Sequence, residues 1–259
     1  MPATQNSIIL ETINLKKSFY VGDTLVPVLK GINIKIKNGD FLVIVGPSGS
    51  GKSTLLHTFL GLEIPSEGMA RFLNFDLYAL SHDDRADFRK RHIGIIYQQS
   101  YWIKALNVVE NVALPLYLNG VEHNEAVKKA LEELTKVGMA DWAKYSPYEL
   151  SSGQQQKVGL ARSLVANPLI IIADEPTGNL DTKSGEALMK TLQDLNKNLG
   201  KTILMVTHDV EYVAYADRAI EIVDGLVNKE AYAGTPDWAY FTGKKGKGKI
   251  NYKKVGATI

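Results

Sequence analysis

The run Gly46-Pro47-Ser48-Gly49-Ser50-Gly51-Lys52-Ser53-Thr54 follows directly on the unbroken apolar stretch Phe41-Leu42-Val43-Ile44-Val45. A short continuous apolar run bounded by turn residues predicts a strand buried on both faces, and such strands belong to parallel sheets covered by helices. The loop fits G-x-x-x-x-G-K-[ST], a motif that has its meaning only between a buried strand and a helix, and a helix is expected to begin where this one ends. The glycines let backbone N–H groups turn toward phosphate oxygens. Lys52 is placed to neutralise β- and γ-phosphates, the Ser53 hydroxyl to ligate Mg²⁺, and the helix start to add unpaired donors and the positive end of its dipole. A nucleoside triphosphate is the implied ligand.

Further along, Leu169 to Ala173 and Thr202 to Thr207 are two more buried-strand candidates. Between them Lys183 to Leu199 has helical spacing at Leu188, Leu192 and Leu195, an order that implies a parallel sheet. Apolar and polar residues alternate from Ile8 to Lys16 and from Ile32 to Ile36, with turn chemistry at Asn38-Gly39-Asp40, so an antiparallel sheet is expected to open the chain. Asn107 to Ala166 reads as almost entirely helical, with Leu131, Leu134 and Val137 as its apolar stripe. The expected fold is therefore α/β: a phosphate-loop core with a mostly parallel sheet, an N-terminal antiparallel β subdomain, and an α-helical subdomain inserted at about 100–166.

Composition excludes several chemistries. Cysteine is absent, which rules out disulfides, thiolate catalysis and Cys-based zinc sites and is compatible with a reducing compartment. No stretch approaches the roughly 18 apolar residues of a membrane span, and the N-terminus does not read as a leader. The net charge of +2 comes from the tail, Gly243 to Ile259, which holds six lysines and no acid; the rest has 24 basic against 28 acidic side chains. A glycine-rich lysine run buries little, so it is read as a solvated end with no specific nucleic-acid partner.

Asp174 follows the strand Leu169 to Ala173, where a carboxylate at the sheet's carboxyl edge reaches Mg²⁺, and Glu175 beside it is a candidate base. A solvated acidic turn is the plainer reading of that pair alone; the phosphate loop argues against it. Leu150-Ser151-Ser152-Gly153-Gln154, Asp174-Glu175-Pro176, Gly178-Asn179-Leu180-Asp181 and Thr207-His208-Asp209 together resemble the ordered motifs of ABC transporter nucleotide-binding domains. The resemblance covers about 8–230, leaving 231–259 as a C-terminal extension. Glu110 to Leu116 and Ala173 to Asp181 look most like the lipoprotein-releasing and macrolide-exporting subfamily.

That resemblance implies ATP and Mg²⁺ as cofactors and assigns roles. Gln98 contacts Mg²⁺ and the attacking water, with Gln99 the neighbouring alternative. Glu175 polarises the water, His208 holds the γ-phosphate, and Asp181 links two subunits near the nucleotide. Adenine stacks on Phe19 or on Tyr20, which a strand would point to opposite faces; Phe19 is the choice. Ser151, Gly153 and Gln154 start a helix and face the nucleotide of the opposite subunit, so two chains close head to tail around ATP. Ser152 departs from the family, whose residue there is usually glycine; its Cβ is expected to crowd the γ-phosphate. The resemblance also implies an integral membrane permease as partner, docking near Ser100 to Leu118 through Tyr101, Trp102 and Ile103, and a place at the cytoplasmic face of the membrane. The plainer reading of those three residues is that they pack the helical insertion onto the core.

Overall fold

The computed structural model describes residues 7–243. They fall into two compact units, one made of the chain up to Ala79 together with Leu204 onwards, the other of Leu80–Ile203. The lysines of the tail, Lys244 to Lys254, lie outside the described residues.

In the first unit β1 (Ile8–Val21) and β2 (Thr24–Lys37) form a long antiparallel hairpin. Along β2 the expected alternation holds, with Ile32, Ile34 and Ile36 buried and Asn33, Lys35 and Lys37 exposed between them. β1 breaks it: the register shifts around Asn14, which takes a φ of 46°, so Thr12 and Leu15 both point inward although three positions apart. β3 (Phe41–Val45) is buried throughout and leads to α1 (Lys52–Phe59). β4 (Glu67–Phe72) and β5 (Phe75–Asp76) complete an antiparallel sheet of order β2-β1-β4-β5.

The second unit contains α2 (His82–His92), β6 (Ile93–Tyr97), α3 (Val108–Leu118), α4 (His123–Lys136), α5 (Ser152–Leu164), β7 (Ile170–Asp174) and α6 (Thr182–Leu199). β6 and β7 run parallel, from Ile93 opposite Ile170 to Tyr97 opposite Asp174. α3, α4 and α5 share a core in which Val112, Ala130, Leu134 and Val158 are fully buried. The helical reading of 107–166 is met, but the buried face of α4 is Ala126, Ala130 and Leu134, while Leu131 is exposed. Small residues at four-residue spacing let the helices approach closely, and the larger leucine lies off that line.

The chain leaves the second unit along β8 (Thr202–Thr207), buried at every residue, and continues through β9 (Arg218–Val223), β10 (Leu226–Tyr232) and α7 (Trp238–Thr242). β3 pairs parallel with β9, and β9 antiparallel with β10. The architecture is thus α/β, with parallel pairs at the core and an antiparallel sheet at the N-terminus, as the sequence pattern implies. Phe241 of α7 is fully buried, and the Tyr240 hydroxyl donates to the buried Glu221 carboxylate at 2.7 Å. Asn228 donates to the same oxygen. Burial, together with that carboxylate, pushes the Tyr240 phenol up to about 12.

One buried amide organises the segment before α3. Asn111 Oδ1 accepts from the Ile103 N–H at 2.9 Å, and Nδ2 donates to the carbonyls of Ile103, Leu106 and Asn107 at 3.2, 2.9 and 3.0 Å. Asn111→Ala leaves these groups unmet inside the protein and is expected to cost about 1–3 kcal/mol, read as a lower urea midpoint with an unchanged denaturant slope.

Candidate functional site

The loop from Gly46 to Ser53 is shaped by what lies beneath it in the first unit. A Cβ at Gly46 would stand 2.1 Å from the Ile222 carbonyl, so only glycine lets the chain leave β3 this close to β9. Gly225, in the turn between β9 and β10, donates to the Ser50 carbonyl at 3.1 Å and passes 2.1 Å, measured from an added Cβ, from the Val28 carbonyl. Gly51 caps α1 in a left-handed conformation, φ 100°. Lys52 is buried, and its ammonium donates to the Gly46 and Pro47 carbonyls at 2.8 and 2.9 Å, spanning the mouth of the loop. Ser48, Gly49 and Ser53 are exposed and Thr54 is half-buried. Ser50 Oγ is buried without a hydrogen-bond partner.

These features fit a polyanion. The loop offers backbone donors, a cation and a helix start; its glycines occupy positions that a side chain would block, and Ser50 keeps a hydroxyl unmatched by protein groups. His208 also belongs to the first unit. It is exposed just past β8, where the Asp209 N–H donates to Thr207 Oγ1 at 3.1 Å and fixes the turn. Phe19 lies opposite Val26 near the hairpin tip and Tyr20 opposite Leu25. Phe19 is the less exposed, 36% against 77%, and carries the Lys17 ammonium 4.8 Å from its ring centroid.

In the second unit β7 ends at Asp174, and Glu175 takes a φ of 47°. A left-handed glutamate is unusual and costs about 1 kcal/mol or more. The Gly178 N–H closes the turn on the Glu175 carbonyl at 3.0 Å. Gln98 lies against that turn: its carbonyl accepts from Asn179 Nδ2 at 3.1 Å, and its side-chain amide is 2.6 Å from where a Gly178 Cβ would be.

Ser151 is the N-cap of α5. Its hydroxyl accepts from the Gln154 N–H at 3.3 Å, and Gln154 Oε1 accepts from the Ser151 N–H at 2.9 Å, a reciprocal box that fixes the helix start. Gly153 faces Ser184, whose Oγ would be 3.2 Å from a Cβ there. Ser184 in turn donates to Asp181 through its N–H and hydroxyl, at 2.9 and 2.8 Å, which holds the Asp181 carboxyl below the usual carboxylate range. Ser151, Gly153, Gln154, Asp181 and Ser184 line one cavity of about 570 Å³. Ser152 instead lines a smaller one of about 240 Å³ with Gln98, Pro176 and Asn179, so its side chain points to a different side of the helix start from Gly153.

Two residues absent from the sequence-based site are well placed in it. Ser184 connects Asp181 to Gly153, and the buried Gln156 donates to the Tyr97 and Pro176 carbonyls at 3.1 and 2.7 Å. The usable signal is helical spacing, which puts Gln156 on one face with Leu160 and Ser163, a polar residue on an apolar stripe. Trp102 requires a correction. It is buried at 8% exposure, donates to Gln155 Oε1 at 2.9 Å and lies under the Arg162 guanidinium, so it packs the helical core and leaves Tyr101 and Ile103 as the exposed pair.

The family model described as "ABC transporter" matches residues 29–178. The lipoprotein-releasing system ATP-binding protein LolD of Geobacter metallireducens is 40% identical over 85% of the chain and 98% of its own length. The macrolide export ATP-binding/permease protein MacB of Chlorobium luteolum is 42% identical over 85% of the chain, which spans only 33% of that longer protein. Among solved structures, a dimeric post-hydrolysis state of the ATP-binding cassette MJ0796, bound to ADP and Pi, superposes with a TM-score of 0.81. It is 39% identical, covering 86% of this chain and 98% of that one.

Gly46→Ala forces a Cβ onto a backbone carbonyl that cannot swing aside. It is expected to cost about 1–3 kcal/mol of stability and to weaken nucleotide binding about 10-fold or more, measured by thermal denaturation and by titration with a fluorescent ATP analogue.

Proposed function

The chain belongs to the ATP-binding domains of ABC transporters, and from that premise we propose that it is an ATP-hydrolysing subunit that works as a homodimer to drive a separate integral membrane permease. The permease is of the lipoprotein-release or macrolide-export kind, and the subunit works at the cytoplasmic face of the membrane. The observation that carries the reading is the presence of two prepared helix starts in one chain, Gly51-Lys52 on α1 in one unit and Ser151 to Gly153 on α5 in the other. Each is half of a phosphate grip, and a head-to-tail pair of chains supplies both halves to each ATP. The similarity to a cassette that is dimeric with ADP and Pi supports this arrangement.

In this account Lys52 and the loop N–H groups of Gly46 to Thr54 hold the β- and γ-phosphates, and Phe19 supports the adenine. Glu175 takes up the proton of the attacking water, Gln98 orients that water, and His208 donates to the γ-phosphate. Ser151, Gly153 and Gln154 close the site from the opposite subunit, with Asp181 beside them. Mg²⁺, when bound, would supply positive charge to the phosphate oxygens, and Ser53, Asp174 and Gln98 are the residues that would hold it. Tighter binding of ATP to the closed dimer than to the open one supplies the bias that hydrolysis releases.

The permease docks on the segment Ser100 to Leu118. There a groove of about 380 Å³ is lined by Arg89, Tyr101, Leu114, Pro115, Leu118 and Arg162. Among the described residues no helix is long and apolar enough to cross a membrane.

Glu175→Gln is expected to keep ATP affinity, abolish turnover and yield an ATP-dependent dimer in size-exclusion chromatography at micromolar protein; a monomer under those conditions contradicts the shared site. Lys52→Ala should show no phosphate release above background. Tyr101→Ala combined with Leu118→Ala should leave basal hydrolysis within about two-fold of the parent and lose the permease in pull-downs from membranes; retention of the partner contradicts the docking surface.

A further inference from the structure

Gln156 lies on α5, five residues after Ser151, and is 4% exposed. Its Nε2 donates to backbone carbonyls of other elements, Tyr97 at 3.1 Å and Pro176 at 2.7 Å. Tyr97 is the last residue of β6, immediately before Gln98, and Pro176 immediately follows Glu175. Tyr97 and Asp174 are direct partners in the parallel pair, so one amide joins the ends of two adjacent strands where each enters the site. The neighbouring Gln155 does something else: it accepts from Trp102 and donates to the Leu150 carbonyl at 3.0 Å, staying within the helical core.

From this geometry we propose that Gln156 is a positioning residue, one that couples the start of α5 to Gln98 and Glu175. The inference rests on the ATPase reading of those two residues. α5 is a continuous helix, so a displacement of Ser151 to Gly153 is carried along it to Gln156. Two hydrogen bonds on one amide, the one to Pro176 buried and the one to Tyr97 part-buried, then pass the displacement to both carbonyls. The residues moved are backbone neighbours of Gln98 and of Glu175. A shift of a few tenths of an ångström there changes the line between water and phosphate, to which phosphoryl transfer is sensitive. The bonds touch no residue of the Gly46–Ser53 loop, so ATP capture is expected to be spared.

Gln156→Met keeps the length and volume of the side chain and removes the donor. In the nucleotide-free protein, amide hydrogen exchange should speed up about five-fold in both 97–99 and 176–180, with 46–54 unchanged. In steady-state assays kcat should fall about ten-fold or more while KM for ATP stays within about two-fold. Gln156→Glu retains the shape and regains one donor only when protonated, so its kcat relative to the parent should rise as pH is lowered from about 8 to about 6; it also carries the exchange measurement if the methionine variant does not fold. Unchanged exchange in either segment, or a folded Gln156→Met with parental kcat, overturns the coupling. A parent whose phosphate release equals that of Lys52→Ala overturns the ATPase reading instead, and the exchange result then decides the coupling by itself.

Discussion

Holding a polyanion with main-chain N–H groups requires the backbone to come nearer to its neighbours than side chains allow. In this chain the requirement is met by β3 and β9, whose parallel pairing sets Val45 opposite Glu221 and brings the Ile222 carbonyl under Gly46. The turn after β9 then props the loop from below through the bond from Gly225 to Ser50. Remove that pairing and neither the loop's curvature nor the entry into α1 is defined. The antiparallel hairpin of β1 and β2 presses on the same place, since Val28 and Leu29 meet Gly51.

The second unit solves a related problem with different means. Its groups do not cradle anything by close backbone approach; they are side chains and a helix start that must keep fixed offsets from one another. Hydrogen-bonded turns and caps set those offsets: Ser184 between Asp181 and Gly153, Asn179 on the Gln98 carbonyl, the reciprocal box at Ser151. Glu175 accepts a left-handed backbone as part of this arrangement.

Much of this was legible in the sequence because it depends on local patterns. β3 and β8 were readable to the residue as apolar runs, β2 by its alternation, and the phosphate loop by spacing alone. What escaped depends on packing between distant segments. The bulge at Asn14 has no apolar-pattern signature, and the buried line of alanines on α4 is less conspicuous than Leu131, which the fold leaves in solvent. Trp102 looked like an anchor because aromatic side chains favour both interfaces and cores, and only the position of Gln155 and Arg162 shows which applies. Gln156 was hidden in a run of three glutamines with unlike surroundings.

The contact of Tyr240 with Glu221 bears on where this molecule can be cut. The motifs are complete by His208, yet the carboxylate that sits beside Val45 in the sheet receives one of its donors from α7. A fragment trimmed after β10 would carry every recognisable motif and still open an aromatic lid, with Phe241 withdrawn and an acid left short of a proton donor next to the strand that leads into the loop. The working boundary of the fold therefore lies beyond the last functional signature, set by what covers β9 and not by what touches phosphate.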